Sequence, residues 1–166
     1  MMSGASVDTP AEVFDAALRV TSPRLALKPG LKAIKKGEGH GQIVAEAPER
    51  LLGSAAIDDD CRASDPHGNR WDYVIGYGRD SKAIAYFVEV HSAETSEVLK
   101  VERKLRWLQN LLLKPPQRKL AALGREYHWV ASGRINIPHH TQQFKYLNST
   151  LKKVGLRGPV KRLTLT

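Results

Sequence analysis

Between Arg70 and Ala93 the chain reads RWDYVIGYGRDSKAIAYFVEVHSA. Two carboxylates, Asp72 and Glu89, stand inside runs that are otherwise aromatic or β-branched, and His91 follows two residues after the second. Strand interiors disfavour acids that have neither partner nor task. With Asp80 and Ser81 as the tip of a hairpin, positions pair outward from that tip and Asp72 falls opposite Glu89. Cross-strand neighbours have β-carbons about 4.5–5.5 Å apart, where two like charges repel unless something positive lies between them. A divalent cation is the simplest such group, since Mg²⁺ or Mn²⁺ takes one or two carboxylates and completes its shell with water and phosphate oxygens. The pairing depends on register, because a one-residue slip sends one acid to the other face. The competing reading is a solvated face on which Arg70 or Lys82 pairs with the acids.

Other polar groups bear on the same question. IDDDC carries Asp58, Asp59 and Asp60 in succession; in a strand the outer two share a face and the middle one opposes them. Adding a ligand or closing a solvated strand end are both open to them. His139 and His140 are adjacent at a helix start, where consecutive residues diverge, so helix capping or exposure fits them better than joint metal binding. No zinc-finger, P-loop or dinucleotide fingerprint is present, and Gly76 and Gly78 lie near a hairpin tip rather than at a strand-to-helix turn.

The elements that would position these residues are legible from pattern. DTPAEVFDAALRV reads as a helix capped by Asp8 or Thr9, with Pro10 in its first turn and Val13, Ala17 and Leu18 on one side. A loop with a short basic turn over Leu31–Lys36 follows, and APERLLG reads as one or two helical turns from Pro48 to Gly53. Three strands come next, in SAAIDDDCRA, RWDYVIGYG and AIAYFVEVHSA, joined by short turns as an antiparallel meander. Val98, Val101, Leu105, Leu108 and Leu112 recur at helical spacing, leaving Lys100, Arg103, Lys104 and Arg106 off the apolar stripe until KPPQRK ends the helix. REYHWVASGRINIP is a fourth strand bent at Gly133, HHTQQFKYLNSTLKKVG a last helix, and RGPVKRLTLT an edge strand. Trp107, Tyr127 and Trp129 read as core rather than as stacking platforms.

This order, a helix, a meander with an acid in its second strand and Glu-x-His in its third, a long helix and a further strand, resembles the core of the PD-(D/E)XK nuclease superfamily over about residues 46–137. The resemblance implies a restriction-endonuclease-like α/β (α+β) fold with a central mixed sheet flanked by helices. It also implies that Asp72 and Glu89 bind a divalent metal. The family's lysine, two residues past the second acid, orients or activates the attacking water; this chain has His91 there. A neutral imidazole can accept a proton near pH 7, and a hydrogen bond to a strand neighbour is the equal alternative. The family's helix glutamate corresponds to Glu49, or else Glu46, either of which also suits an ordinary first helical turn.

Length and charge set the outer bounds. The 166 residues are expected to form a single domain, 1–166, with 1–45 as an N-terminal helical and loop extension. One cysteine, Cys61, excludes an intramolecular disulfide, and the absence of a leader or an apolar run points to a cytoplasmic protein without membrane contact. The net charge of +9 is unevenly spread: residues 1–98 hold 11 Lys/Arg against 15 Asp/Glu, and residues 99–166 hold 15 against 2. A basic second half suits a polyanion, with Lys100, Arg103, Lys104, Arg134, Lys145, Lys152 and Lys153 as phosphate contacts and Arg157, Lys161 and Arg162 extending them. It also suits a half that only solvates its helices and neutralises the other. Three functions follow as expectations: a metal-dependent nuclease acting on DNA or RNA; a catalytically inactive nuclease-fold module that binds nucleic acid or protein; and a structural subunit for an acidic protein partner.

Overall fold

A computed structural model describes Gly4 and residues 6–166. Its centre is a five-stranded mixed sheet in the order β2-β3-β4-β5-β6, with β2 Leu51–Ala56, β3 Tyr73–Arg79, β4 Lys82–Glu94, β5 Gly124–Asn136 and β6 Leu156–Val160. β2/β3 and β3/β4 are antiparallel; β4/β5 and β5/β6 are parallel. Parallel neighbours need long crossovers. Here α3 (Val98–Leu112) lies in the connection from β4 to β5, and α5 (Gln142–Tyr146), continued by a π-helical stretch over Leu147–Leu151, in that from β5 to β6.

Alternation along the strands divides the core between two faces. Tyr73, Ile75, Tyr77, Tyr86 and Val88 pack with Ile43, Leu163 and Leu165, where a short strand β1 (Ile43–Ala45) pairs in parallel with β7 (Leu163–Leu165). Val74, Ala85, Phe87 and Trp129 face the opposite way, under α1 (Pro10–Arg19) and α3. Phe14, Ala17 and Leu18 of α1 are fully buried in that layer, so α1, within the expected extension, contributes to the core. Thr9 caps α1 in a reciprocal box with Glu12. Gly76 is what lets α1 approach: a Cβ there would stand 2.5–2.7 Å from three atoms of the Phe14 ring.

Two segments depart from their expected state. APERLLG makes only a 3-10 turn at Pro48–Arg50 and enters β2 at Leu51, while Ile57–Cys61 forms a short helix, α2, instead of strand. Tertiary pairing overrides local preference in the first case, since Leu51 and Gly53 are held in register with Tyr77 and Gly76. In the second, the three aspartates occupy a helical first turn, where acids are favoured. The bend expected at Gly133 takes the form of extra residues: His91 pairs with Ala131, but Ala93 pairs with Ile135. Among the described residues no helix is long and apolar enough to cross a membrane.

Candidate functional site

The hairpin turns at Asp80 and Ser81, both with positive φ (49° and 63°), and Arg79 faces Lys82 across it. That register runs unbroken to Tyr73 opposite Val88, so Asp72, one residue before β3, stands beside Glu89. Both have the parity of Val74 and Phe87 and therefore point to the face that α3 covers. The two carboxylates are bound to each other's strands. The Val90 N–H donates to Asp72 Oδ2 at 2.9 Å, and the Asp72 N–H donates to Glu89 Oε2 at 3.1 Å.

The positive group between the acids comes from α3. Lys104 Nζ donates to Glu89 Oε1 and lies 3.5 Å from Asp72 Oδ1. The electrostatic requirement that the pattern alone assigned to a metal is thus met by an ammonium. Lys104 is in consequence removed from the set of surface phosphate contacts: its side chain is only 16% exposed, against 55% for Lys100. Glu89 is fully buried. Burial and then the Asp72 charge push its carboxyl well above the usual range, with Lys104 opposing them. Burial likewise raises Asp72 despite Lys104. For Lys104, burial works against the charged form, but Glu89 and Asp72 outweigh it and the ammonium is held more tightly than usual.

His91 stands at the margin of this cluster. Its Nε2 lies 2.8 Å from Glu97 Oε2, and its Nδ1 is 3.7 Å from Glu89 Oε1. Glu97 also receives Lys100 at 3.3 Å, and the His91 and Lys100 contacts hold its carboxyl below the usual range. On the other side of Asp72 the three aspartates of α2 are engaged. Asp58 accepts from Arg70 Nε at 2.7 Å and pairs with Arg62, Asp59 pairs with Lys35 and Arg62, and Asp60 accepts the Ala26 N–H. Asp72 Oδ1 and Glu89 Oε1 are the oxygens available to a divalent cation, and both face Lys104 already. Among the described residues no group of three or more His, Cys, Asp and Glu is placed to hold a metal. Any cation bound here would rest on those two oxygens and on ligands from outside the chain, a donor set that Mg²⁺ accepts.

The remaining expected site residues are dispersed. Glu49 is exposed on the 3-10 turn and lines a cavity with Gly78 and Asp80 at the hairpin tip, at the opposite end of β3 from Asp72. It takes no part in the cluster. Lys145, Lys152 and Lys153 are exposed on the last helix, whose Tyr146 donates to Glu102 on the edge of α3 opposite Lys104. Arg103 is exposed on α3, and Arg134 on the extra residues of β5.

Lys104 was hidden in sequence because it is one of four bases spread over positions 100–106. One signal was present: with about 3.6 residues per turn, position 104 falls between Leu108 and Leu111 around the axis, inside the buried arc. Comparison of the chain with family models, curated proteins and solved structures found no match to any of them.

Proposed function

We propose that the Asp72–Glu89–Lys104 cluster is the centre of a metal-dependent phosphodiesterase acting on DNA or RNA. The observation that carries this reading is that two carboxylates from adjacent strands and an ammonium from the crossover helix meet at one point. The succession of α1, strands β2, β3 and β4 with the short α2 between the first two, then α3 and β5, with two antiparallel pairs followed by a parallel one, supports the PD-(D/E)XK resemblance. In that frame the lysine comes from α3, and the strand position holds His91.

Each residue has a task set by its surroundings. Asp72 and Glu89 would hold Mg²⁺ or Mn²⁺, which when bound supplies Lewis acidity at a phosphoryl oxygen. Asp72, 18% exposed, is the carboxylate that meets solvent, while the fully buried Glu89 fixes Lys104. The Lys104 ammonium donates to whatever anionic oxygen enters beside Asp72, and stabilises negative charge developing there in a partly dry site. His91 is tied to Glu97 and acts as a positioning residue at the rim.

A second reading has its own support. Every oxygen of the two acids already faces a donor within the chain, as in a self-contained ion cluster that only shapes a nucleic-acid-binding or protein-interaction module. Incubation of single- and double-stranded DNA and RNA with Mg²⁺ or Mn²⁺ separates the two. Cleavage abolished by Asp72→Asn and Glu89→Gln supports the enzyme. Cleavage that both variants retain removes this site, and salt-dependent binding without cleavage supports the module.

A further inference from the structure

One turn along α3 from Lys104, the same edge of the helix opens onto a cavity of about 310 Å³ lined by Cys61, Ser64, Asp65, Trp107, Asn110 and Lys114, among others. Residues three apart on a helix are surface neighbours, so Lys104 and Trp107 stand side by side. A chain of bonds joins cavity and cluster on their other flank. Arg70 donates to Asp58 and to the Asp65 carbonyl, and the Asp58 N–H donates to the Asp72 carbonyl at 3.3 Å.

The cavity has a fixed aromatic wall. The Trp107 indole N–H donates to Asp65 Oδ2 at 2.8 Å, and the turn closes over that contact at Gly68. A Cβ on Gly68 would fall inside the Asp65 carboxylate and 2.8 Å from Trp107 Nε1. Trp71 and Trp129 are fully buried, whereas Trp107 is partly exposed. Polar groups surround the opening: the Asn110 amide offers both a donor and an acceptor, Ser64 a hydroxyl, and Lys114 a cation. Burial pushes the Cys61 thiol up to about 11, so Cys61 adds no charge to the lining, whose one carboxylate, Asp65, is held by Trp107.

Resting on the reading of the neighbouring cluster as a phosphodiester site, we propose that this cavity receives a nucleobase of the nucleotide beside the cleaved phosphate, stacked on Trp107 and bonded at its edge by Asn110 and Ser64, with Lys114 on a flanking phosphate. A locked indole stacks on any base, because every base has a π face. Hydrogen bonds from the rim then give preference among bases.

Trp107 is the one tryptophan partly open to solvent, so a loss of emission that the wild-type chain shows and Trp107→Leu does not reports on the pocket. The test titrates the full chain with a short single-stranded oligodeoxynucleotide and with an all-abasic oligomer of the same length. Tight binding is expected with saturable loss of emission for the first, and weaker binding without that loss for the second. Trp107→Leu is expected to weaken the base-bearing oligomer about 5- to 150-fold and to leave the abasic one unchanged. Asn110→Ala, at an exposed rim position, gives the same direction without touching the core. Equal affinity for both oligomers with unchanged emission overturns the pocket, even when Asp72-dependent cleavage is present. Base-dependent quenching without cleavage supports the pocket and overturns the hydrolytic reading instead. An oligomer that neither binds nor quenches overturns the proposal.

Discussion

Replacing Lys104 with methionine leaves two adjacent carboxylates, one of them fully buried, without the cation that separates them. Removing one member of a buried ion pair costs about 3–5 kcal/mol. The 16% exposure of Lys104 and 18% of Asp72 put this case near the lower end, about 3 kcal/mol. For a chain of this length that corresponds to a loss of about 6–12 °C in Tm. The deficit depends on pH in a fixed direction. Glu89 titrates above its ordinary 4.5 in the folded chain, so the stability linked to it is present below 4.5 and is lost as pH rises through its raised value. Lys104, raised from 10.5, stays charged between pH 5 and 8, so the pH dependence comes from the two acids. Without Lys104 both acids lose the cation that opposes their upward shift, so the deficit is smallest where they are protonated and grows as they ionise. Urea unfolding followed by circular dichroism is expected to give a larger Lys104→Met deficit at pH 8 than at pH 5. The further change Glu89→Gln is expected to recover most of that deficit. A loss below about 1 kcal/mol, or one equal at the two pH values, would show the ammonium to be a solvated surface charge.

Gly76→Ala is expected to lower stability by about 1–3 kcal/mol, read by the same melt, because the new methyl overlaps the Phe14 ring. Unchanged stability would mean that α1 is free to lift from β3. Arg70→Met frees Asp58 and the Asp65 and Pro66 carbonyls together, with an expected loss of about 1–3 kcal/mol, and the Asp58 carboxyl, now held low partly by Arg70, should titrate higher by NMR. Nucleic-acid binding is expected to weaken steeply with salt, and Lys152→Ala with Lys153→Ala is expected to lower the slope of log K against log salt by about 2 units or less. A salt-independent affinity would point away from phosphate contacts.

The hairpin and its acids were open to reading because they depend on local rules. Asp80 and Ser81 fix the turn, strand parity fixes the face, and both operate within a stretch of about twenty residues. The stripe on α3 is also local, and all five of its residues are buried. What sequence could not supply was the placement of α3 on the sheet, since that depends on the crossover between parallel β4 and β5. Lys104 therefore read as one of several surface bases, and the cation between the acids was assigned to a metal. Glu49 lies away from the cluster for the opposite reason: the local signal at Pro48 suggested a helix up to Gly53, where the chain makes one 3-10 turn and enters β2 at Leu51. The three aspartates of α2, equally prominent in sequence, are each occupied by neighbours from other elements.

In the proposed function, catalysis runs through Asp72, Glu89 and Lys104, with His91 at the rim. Its most direct test is the initial rate of oligonucleotide hydrolysis in Mg²⁺ or Mn²⁺ for Lys104→Met and His91→Gln, measured well below the melting temperature of each. A loss of about 100-fold or more is expected for Lys104→Met and of less than about 10-fold for His91→Gln. Full activity in Lys104→Met together with collapse in His91→Gln would contradict it.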